Sequence, residues 1–277
     1  MTTHIETSTV ADGTVAHIRL NRPAKLNALT AQTYDELDAA LDAIHGDDRL
    51  KAILLSGAGT SFCAGFDLSE SATSADEEPV WDQWQGIERN RLILNKLWES
   101  PKPTVSAVHG YCLGGGFALA NHTDIIVATE NAVFGEPEIL YSLMPSARLA
   151  CFVPPRIATE LLLVGENFSA ITASEIGLIN RVVKEDALLD TAMGIAAKLA
   201  ARPPEIVAMA KRSLIYAHNL RGLAAIEESD WRSFLLSKSI DTEAKRRFHQ
   251  TLASDGARAA LHALREPATV ADGEANR

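Results

Sequence analysis

Apolar positions along the chain define its first elements. In "IETSTV" and "TVAHIRL" they flank Asp12-Gly13, a dipeptide suited to a tight turn, so residues 5–20 read as a β-hairpin. "NRP" closes it, since proline restricts its own φ and the residue before it. From Thr30, a helix cap, the period lengthens. Leu37, Ala40, Leu41 and Ile44 recur at helical spacing through "AQTYDELDAALDAIHGDD". "KAILLSG" predicts a strand, "AGTSFCAGFDLSE" a loop, and a mixed segment runs to Ser100. "PKPTVSAVHGY" predicts a buried strand, "FALANHT" a short helix and "DIIVATE" another strand. Strands alternating with helices imply an α/β core with parallel pairing.

From about residue 186 only helical patterns remain: "DALLDTAMGIAAKLAA", "PEIVAMAKRSLIYAHNL" after Pro203-Pro204, "LAAIEESDWRSFLLSK" and "DTEAKRRFHQTLA". The expected organisation is a body over 1–200, a helical region over 201–265 and a loose tail over 266–277, where apolar periodicity is lost. A net charge of −10 argues against binding nucleic acid or an anionic membrane through bulk electrostatics. Cys63, Cys112 and Cys151 have no CxxC spacing and read as buried, reduced thiols. No apolar run approaches the ~20 residues of a membrane span. The start lacks the charged and apolar regions of a secretory signal, so a cytoplasmic protein is expected.

"GYCLGGGFALANH", at 110–122, asks for a chemical reason. A phosphate-binding Walker loop needs Lys-Ser/Thr after the last glycine, but Phe117-Ala118 stands there; the G-x-G-x-x-G spacing of dinucleotide sites is also absent. Close packing of strand against helix and close approach of a ligand to bare backbone both remain open.

Two other stretches shift the balance, the glycine-containing loop "SFCAGFDLSE" (61–70) and "AVFGEPEIL" (132–140), which carries Glu138. "LNRPAKLNALT" (20–30), "FCAGFDL" (62–68), "GYCLGGGFALA" (110–120), "DIIVATENAVFGEPE" (124–138) and "ASEIGLINRVV" (173–183) occur in this order over roughly residues 5–200. Together they resemble the crotonase family, the enoyl-CoA hydratases and isomerases. The resemblance implies an α/β fold with a repeated ββα spiral core and a helical C-terminal oligomerisation region. It also implies an enzyme that binds an acyl-CoA thioester and stabilises an enolate between two backbone N–H groups. Those donors carry over to Phe66 and Gly115. No cofactor and no metal is implied, coenzyme A being part of the substrate. The family's trimers imply a homotrimer or a dimer of trimers.

The family's two-acid hydratases carry one glutamate just after the glycines and a second in an "FGxPE" turn. Here the first position is Ala118 and the second is Glu138. The expected machinery is therefore an oxyanion hole with one general acid/base, Glu138. Hydration or isomerisation of an enoyl-CoA is the leading expectation. A single-acid hydratase-lyase, an acyl-CoA hydrolase and a non-catalytic acyl-CoA-binding relative are the alternatives. Lyase members hold a phenol with tyrosines; none follows "FDLSE", and Trp231 stands where the C-terminal one would be. The resemblance places Ala24, Lys25, Leu26 and Ala64 beside the coenzyme A end. Trp81, Trp84, Ala118, Tyr141 and Arg148 are candidates for the acyl pocket, although the two tryptophans equally suit an amphipathic helix and Arg148 an ion pair or a solvated surface. His109 and His122 flank the glycines without a nucleophile spaced to use them and read as structural.

Overall fold

A computed structural model describes residues 3–68 and 79–264. The expected tail at 266–277 and part of the 69–90 segment lie outside the described residues. The hairpin forms as β1 (Ile5–Val10) and β2 (Val15–Leu20), paired antiparallel from Ile5↔Leu20 to Val10↔Val15. Its turn is accommodated by left-handed Ala11, Asp12 and Gly13. Helix α1 (Ala31–Gly46) starts in a capping box: Thr30 and Thr33 each accept a hydrogen bond from the other's backbone N–H at 3.2 Å. Then follow β3 (Ala52–Gly57), α2 (Val80–Trp98) and β4 (Thr104–Val108).

The run read as one strand over 101–111 is two. At Gly110 (φ +54°) the chain turns out of β4 into β5 (Tyr111–Leu113), and a Cβ there would lie 2.1 Å from the Thr60 carbonyl oxygen. Next come α3 (Gly115–Asn121), β6 (Ile125–Thr129), β7 (Val133–Gly135), α4 (Pro155–Val164), β8 (Phe168–Ser169), α5 (Ala170–Glu175) and β9 (Arg181–Val183). One sheet runs β1-β2-β3-β4-β6-β9, parallel from β2 onward; a smaller one runs β5-β7-β8. β4 is buried along its whole length, which explains its unbroken apolar or small-residue sequence.

Alternate strand positions serve two cores. Val15, Leu54, Val105 and Val127 face Leu188, Ala192 and Ala196 of α6 (Leu188–Ala200). Ile18, Ile53, Leu55 and Ala128 join the larger core with α1 and α2. Three helices complete the chain: α7 (Pro204–Leu220), α8 (Leu223–Ser239) and α9 (Glu243–Ala263), the last bent at Gly256. α8 packs on α2 and on the turn at 147–151. Among the described residues, no helix is long and apolar enough to cross a membrane.

Candidate active site

Strand β5 explains why the sequence motifs meet. On one side it pairs in parallel with β7, Leu113 opposite Gly135, and Gly114 N–H continues the ladder to the Gly135 carbonyl at 2.9 Å. On the other side runs the 61–66 loop: Cys63 N–H donates to Tyr111 and Leu113 N–H to Cys63. The glycines at the end of β5 therefore emerge between Phe66 and the turn Pro137–Tyr141 that carries Glu138. The Phe66 loop is itself clamped. Asn27 donates to the carbonyls of Ala58 and Ser61, both at 2.8 Å, and Arg22 pairs with Asp67 at 2.9 Å.

Each glycine of the run has its own neighbour. Gly114 has φ +50° and ψ −121°, and a Cβ there would lie 2.2 Å from Glu138 Oε1. A Cβ on Gly115 would lie 3.0 Å from the Phe66 ring, and one on Gly116 only 2.4 Å from the Cys63 carbonyl oxygen. Close packing thus accounts for Gly116, whereas Gly114 and Gly115 make room for site groups. Gly115 opens α3, where a first-turn N–H has no intrahelical acceptor. Neither its N–H nor that of Phe66 donates to another described residue. Phe117 anchors the helix by ring contacts with Phe134 and Phe168 at centroid distances of 5.9 Å.

Two cavities meet at Glu138. The outer, about 320 Å³, runs between Leu29, Tyr34 and Phe66 on one side and Tyr141, Trp231 and Phe248 on the other. The inner, about 60 Å³, is bounded by Gly114, Gly115, Ala118, Glu136, Arg148 and Asp230. Of the residues expected at an acyl pocket, Ala118 and Arg148 line the inner cavity and Tyr141 the outer. Trp81 and Trp84 line neither cavity, and Trp81 is 66% exposed. The α2 wall is built instead by Gln83, Gly86, Ile87 and Asn90, the residues that this helix turns inward. Ala24, Lys25 and Leu26 are exposed and line neither cavity; Ala64 N–H, in the site loop, donates to Leu26 at 3.0 Å.

Burial dominates the electrostatics. Arg148 neither reaches solvent nor pairs with Glu138: its guanidinium binds Glu227, donates to the Asn121 carbonyl at 3.1 Å and lies 4.6 Å from the Trp98 ring centroid. His122 donates from Nδ1 to the Ala118 carbonyl at 2.6 Å. Burial, then the Arg148 charge, holds its pKa well down and its ring neutral. His109 bonds the Gly59 carbonyl at 2.9 Å. Burial lifts the Glu138 carboxyl to about 7, against hydrogen bonds from its own N–H and from Glu136 that lower it. Burial, then the neighbouring Glu138 charge, pushes Glu136 well up. Asp230, raised to about 6 by burial, accepts from the Ser146 hydroxyl at 3.1 Å.

Glu136, Glu227 and Asp230 escaped the sequence reading. Glu136 had a signal, an acid two residues before Glu138 in "GEPE". Glu227 and Asp230 recur at i, i+3 beside Trp231 and Phe234, so the stripe that α8 turns inward carries acids instead of aliphatic side chains.

The family model described as enoyl-CoA hydratase/isomerase matches residues 11–253. The chain belongs to the enoyl-CoA hydratase/isomerase family. A short-chain-enoyl-CoA hydratase of Clostridium acetobutylicum is 36% identical over 208 residues, 73% of this chain and 78% of that protein. A carnitinyl-CoA dehydratase of Proteus mirabilis is 36% identical over 204 residues, 72% and 76% of the two chains. The crystal structure of an enoyl-CoA hydratase/isomerase from Xanthobacter autotrophicus Py2 superposes with a TM-score of 0.89 at 34% identity, covering 96% of this chain and 98% of that one. The spiral α/β fold of the family is therefore the fold of this protein.

Proposed function

We propose that the protein adds water to, or removes it from, the double bond of an acyl-CoA thioester, with Glu138 as general acid and base. The observation that carries this reading is the pair of unused N–H groups, Phe66 and Gly115, beside a buried carboxyl at the junction of two cavities. A thioester oxygen between the two donors would be stabilised as it gains charge; losing one such donor costs about 3–4 kcal/mol of barrier in comparable sites. In the forward direction Glu138 removes a proton from water as the oxygen bonds to the β-carbon. The electron pair of the double bond moves to the thioester oxygen. The proton on Glu138 then passes to the α-carbon, so one carboxyl serves twice.

Hydration is preferred to double-bond migration because the inner cavity, though its surface is mostly apolar, is lined by Glu136, Glu138 and Asp230 and is roomy enough for water, which needs about 10–15 Å³ of accessible space per molecule. The hydratase and dehydratase names of the two relatives agree with it. Ala24, Lys25 and Leu26, on the segment bonded to the Phe66 loop, and Ala64 in that loop would meet the coenzyme A end. A homotrimer or dimer of trimers is the proposed assembly and would cover exposed apolar side chains such as Met209, Tyr216 and Leu220 of α7. The test is a panel of 2-enoyl-, 3-enoyl- and aryl-CoA esters assayed with the wild type and Glu138→Gln. Net water addition lost by orders of magnitude in the variant, with thioester affinity kept, is expected. Double-bond migration without water addition would favour isomerisation, and unchanged turnover in the variant would remove Glu138 as the base.

A further inference from the structure

Two carboxyls leave one turn into the same cavity. Glu136 and Glu138 flank Pro137; both are buried, 6% exposed, and both line the inner cavity, near enough for each to shift the other's titration. Glu136 Oε2 also accepts from Ser146 N–H at 3.4 Å. Among the described residues no cation pairs with either acid: Arg148, which shares their cavity, is bound to Glu227. Glu138 Oε2 is buried without a donor among the described residues. Two carboxyls buried in one small cavity with no cation between them cannot both be ionised without a large cost. The other groups around them do not change this. Asp230 of α8 adds negative charge, Tyr141 and Cys112 are held neutral by burial, and His122 is neutral. Across the cavity, where the family's first acid would stand, Ala118 offers a methyl group.

We propose that Glu136 is the second acid of this site, sharing one proton with Glu138 and so keeping Glu138 ionised and oriented as the base. This rests on the reading of Glu138 given above. Glu136 acts through Glu138 and is a positioning residue; its role substitutes from the same turn for a carboxyl that position 118 lacks. The pair titrates as a unit, active with one proton and inactive with two or none.

Glu136→Gln keeps a donor for Glu138 and an acceptor for Ser146 but has no proton to release, whereas Glu136→Leu removes both. The infrared spectrum of the wild type at about pH 8 should contain a protonated-carboxyl band that Glu136→Gln lacks. Glu136→Gln should keep kcat within about tenfold and lose the alkaline limb of the kcat/KM profile; Glu136→Leu should lose about 10²-fold in kcat with little change in KM. A carboxyl band that survives in Glu136→Gln, or wild-type kcat in Glu136→Leu, overturns the inference. Failure of the underlying reading looks different: Glu138→Gln would then turn over normally.

Discussion

Replacing Gly114 by alanine should damage catalysis more than folding. The added Cβ would sit 2.2 Å from Glu138 Oε1, where ordinary contact begins at 3.4 Å. The carboxyl must retreat by about 1 Å, a misplacement that can cost about 10²-fold in rate. The backbone at φ +50°, ψ −121° also lies outside the regions open to alanine, at a cost of ~1–3 kcal/mol in stability. Steady-state kinetics on an enoyl-CoA ester should therefore show kcat reduced by about 10²-fold, with KM moved far less. Urea unfolding should show the smaller stability loss. The control is Gly116→Ala, whose Cβ would meet the Cys63 backbone and not the acid. It should lose stability without a specific loss of kcat in the folded fraction. Wild-type kcat in Gly114→Ala would refute the argument that this glycine is there to admit Glu138.

Arg148→Met should destabilise the fold by about 3–5 kcal/mol in urea titrations, because Glu227 is left as an unpaired buried charge, and adding Glu227→Gln should recover most of it. Asn27→Ala removes the amide hydrogen bonds to Ala58 and Ser61 and the one accepted from Arg22 N–H. A loss of about 2–4 kcal/mol is expected, with KM raised because the Phe66 loop loosens. Asp230 is held up at about 6 in the fold against 3.8 free, so between these values the folded chain keeps a proton that the unfolded chain has released. Its contribution is full below about pH 4 and lost as pH rises through 6. Asp230→Asn should therefore gain stability relative to the wild type over that interval, by up to about 3 kcal/mol, in unfolding curves from pH 4 to 8.

Much of this site was legible because its parts are local. The glycine run, the "FCAGFDL" loop and the turn holding Glu138 each carry their own signal, and parallel pairing of β5 with its two neighbours brings them together. The break at Gly110 was not legible, since "PTVSAVHGY" reads as one buried run of apolar and small residues, and only contact with Thr60 shows why the chain must turn there. Trp81 illustrates the opposite error: an aromatic near an expected pocket is no guide to which face of α2 turns inward. Glu136, Glu227 and Asp230 were missed because their roles depend on burial and partners from elements far apart in the chain. Glu227 looks like a solvated helix acid until Arg148, from the turn at 147–151, is set against it.

The central claim is that Glu138 exchanges protons with a thioester whose oxygen is held by Phe66 and Gly115 N–H. Incubating the saturated or 3-hydroxyacyl-CoA ester in deuterated water and following deuterium at the α-carbon by mass spectrometry tests it most directly. Stereospecific incorporation by the wild type, lost in Glu138→Gln while the ester still binds, is the predicted result. Incorporation at the same rate in both proteins would contradict it.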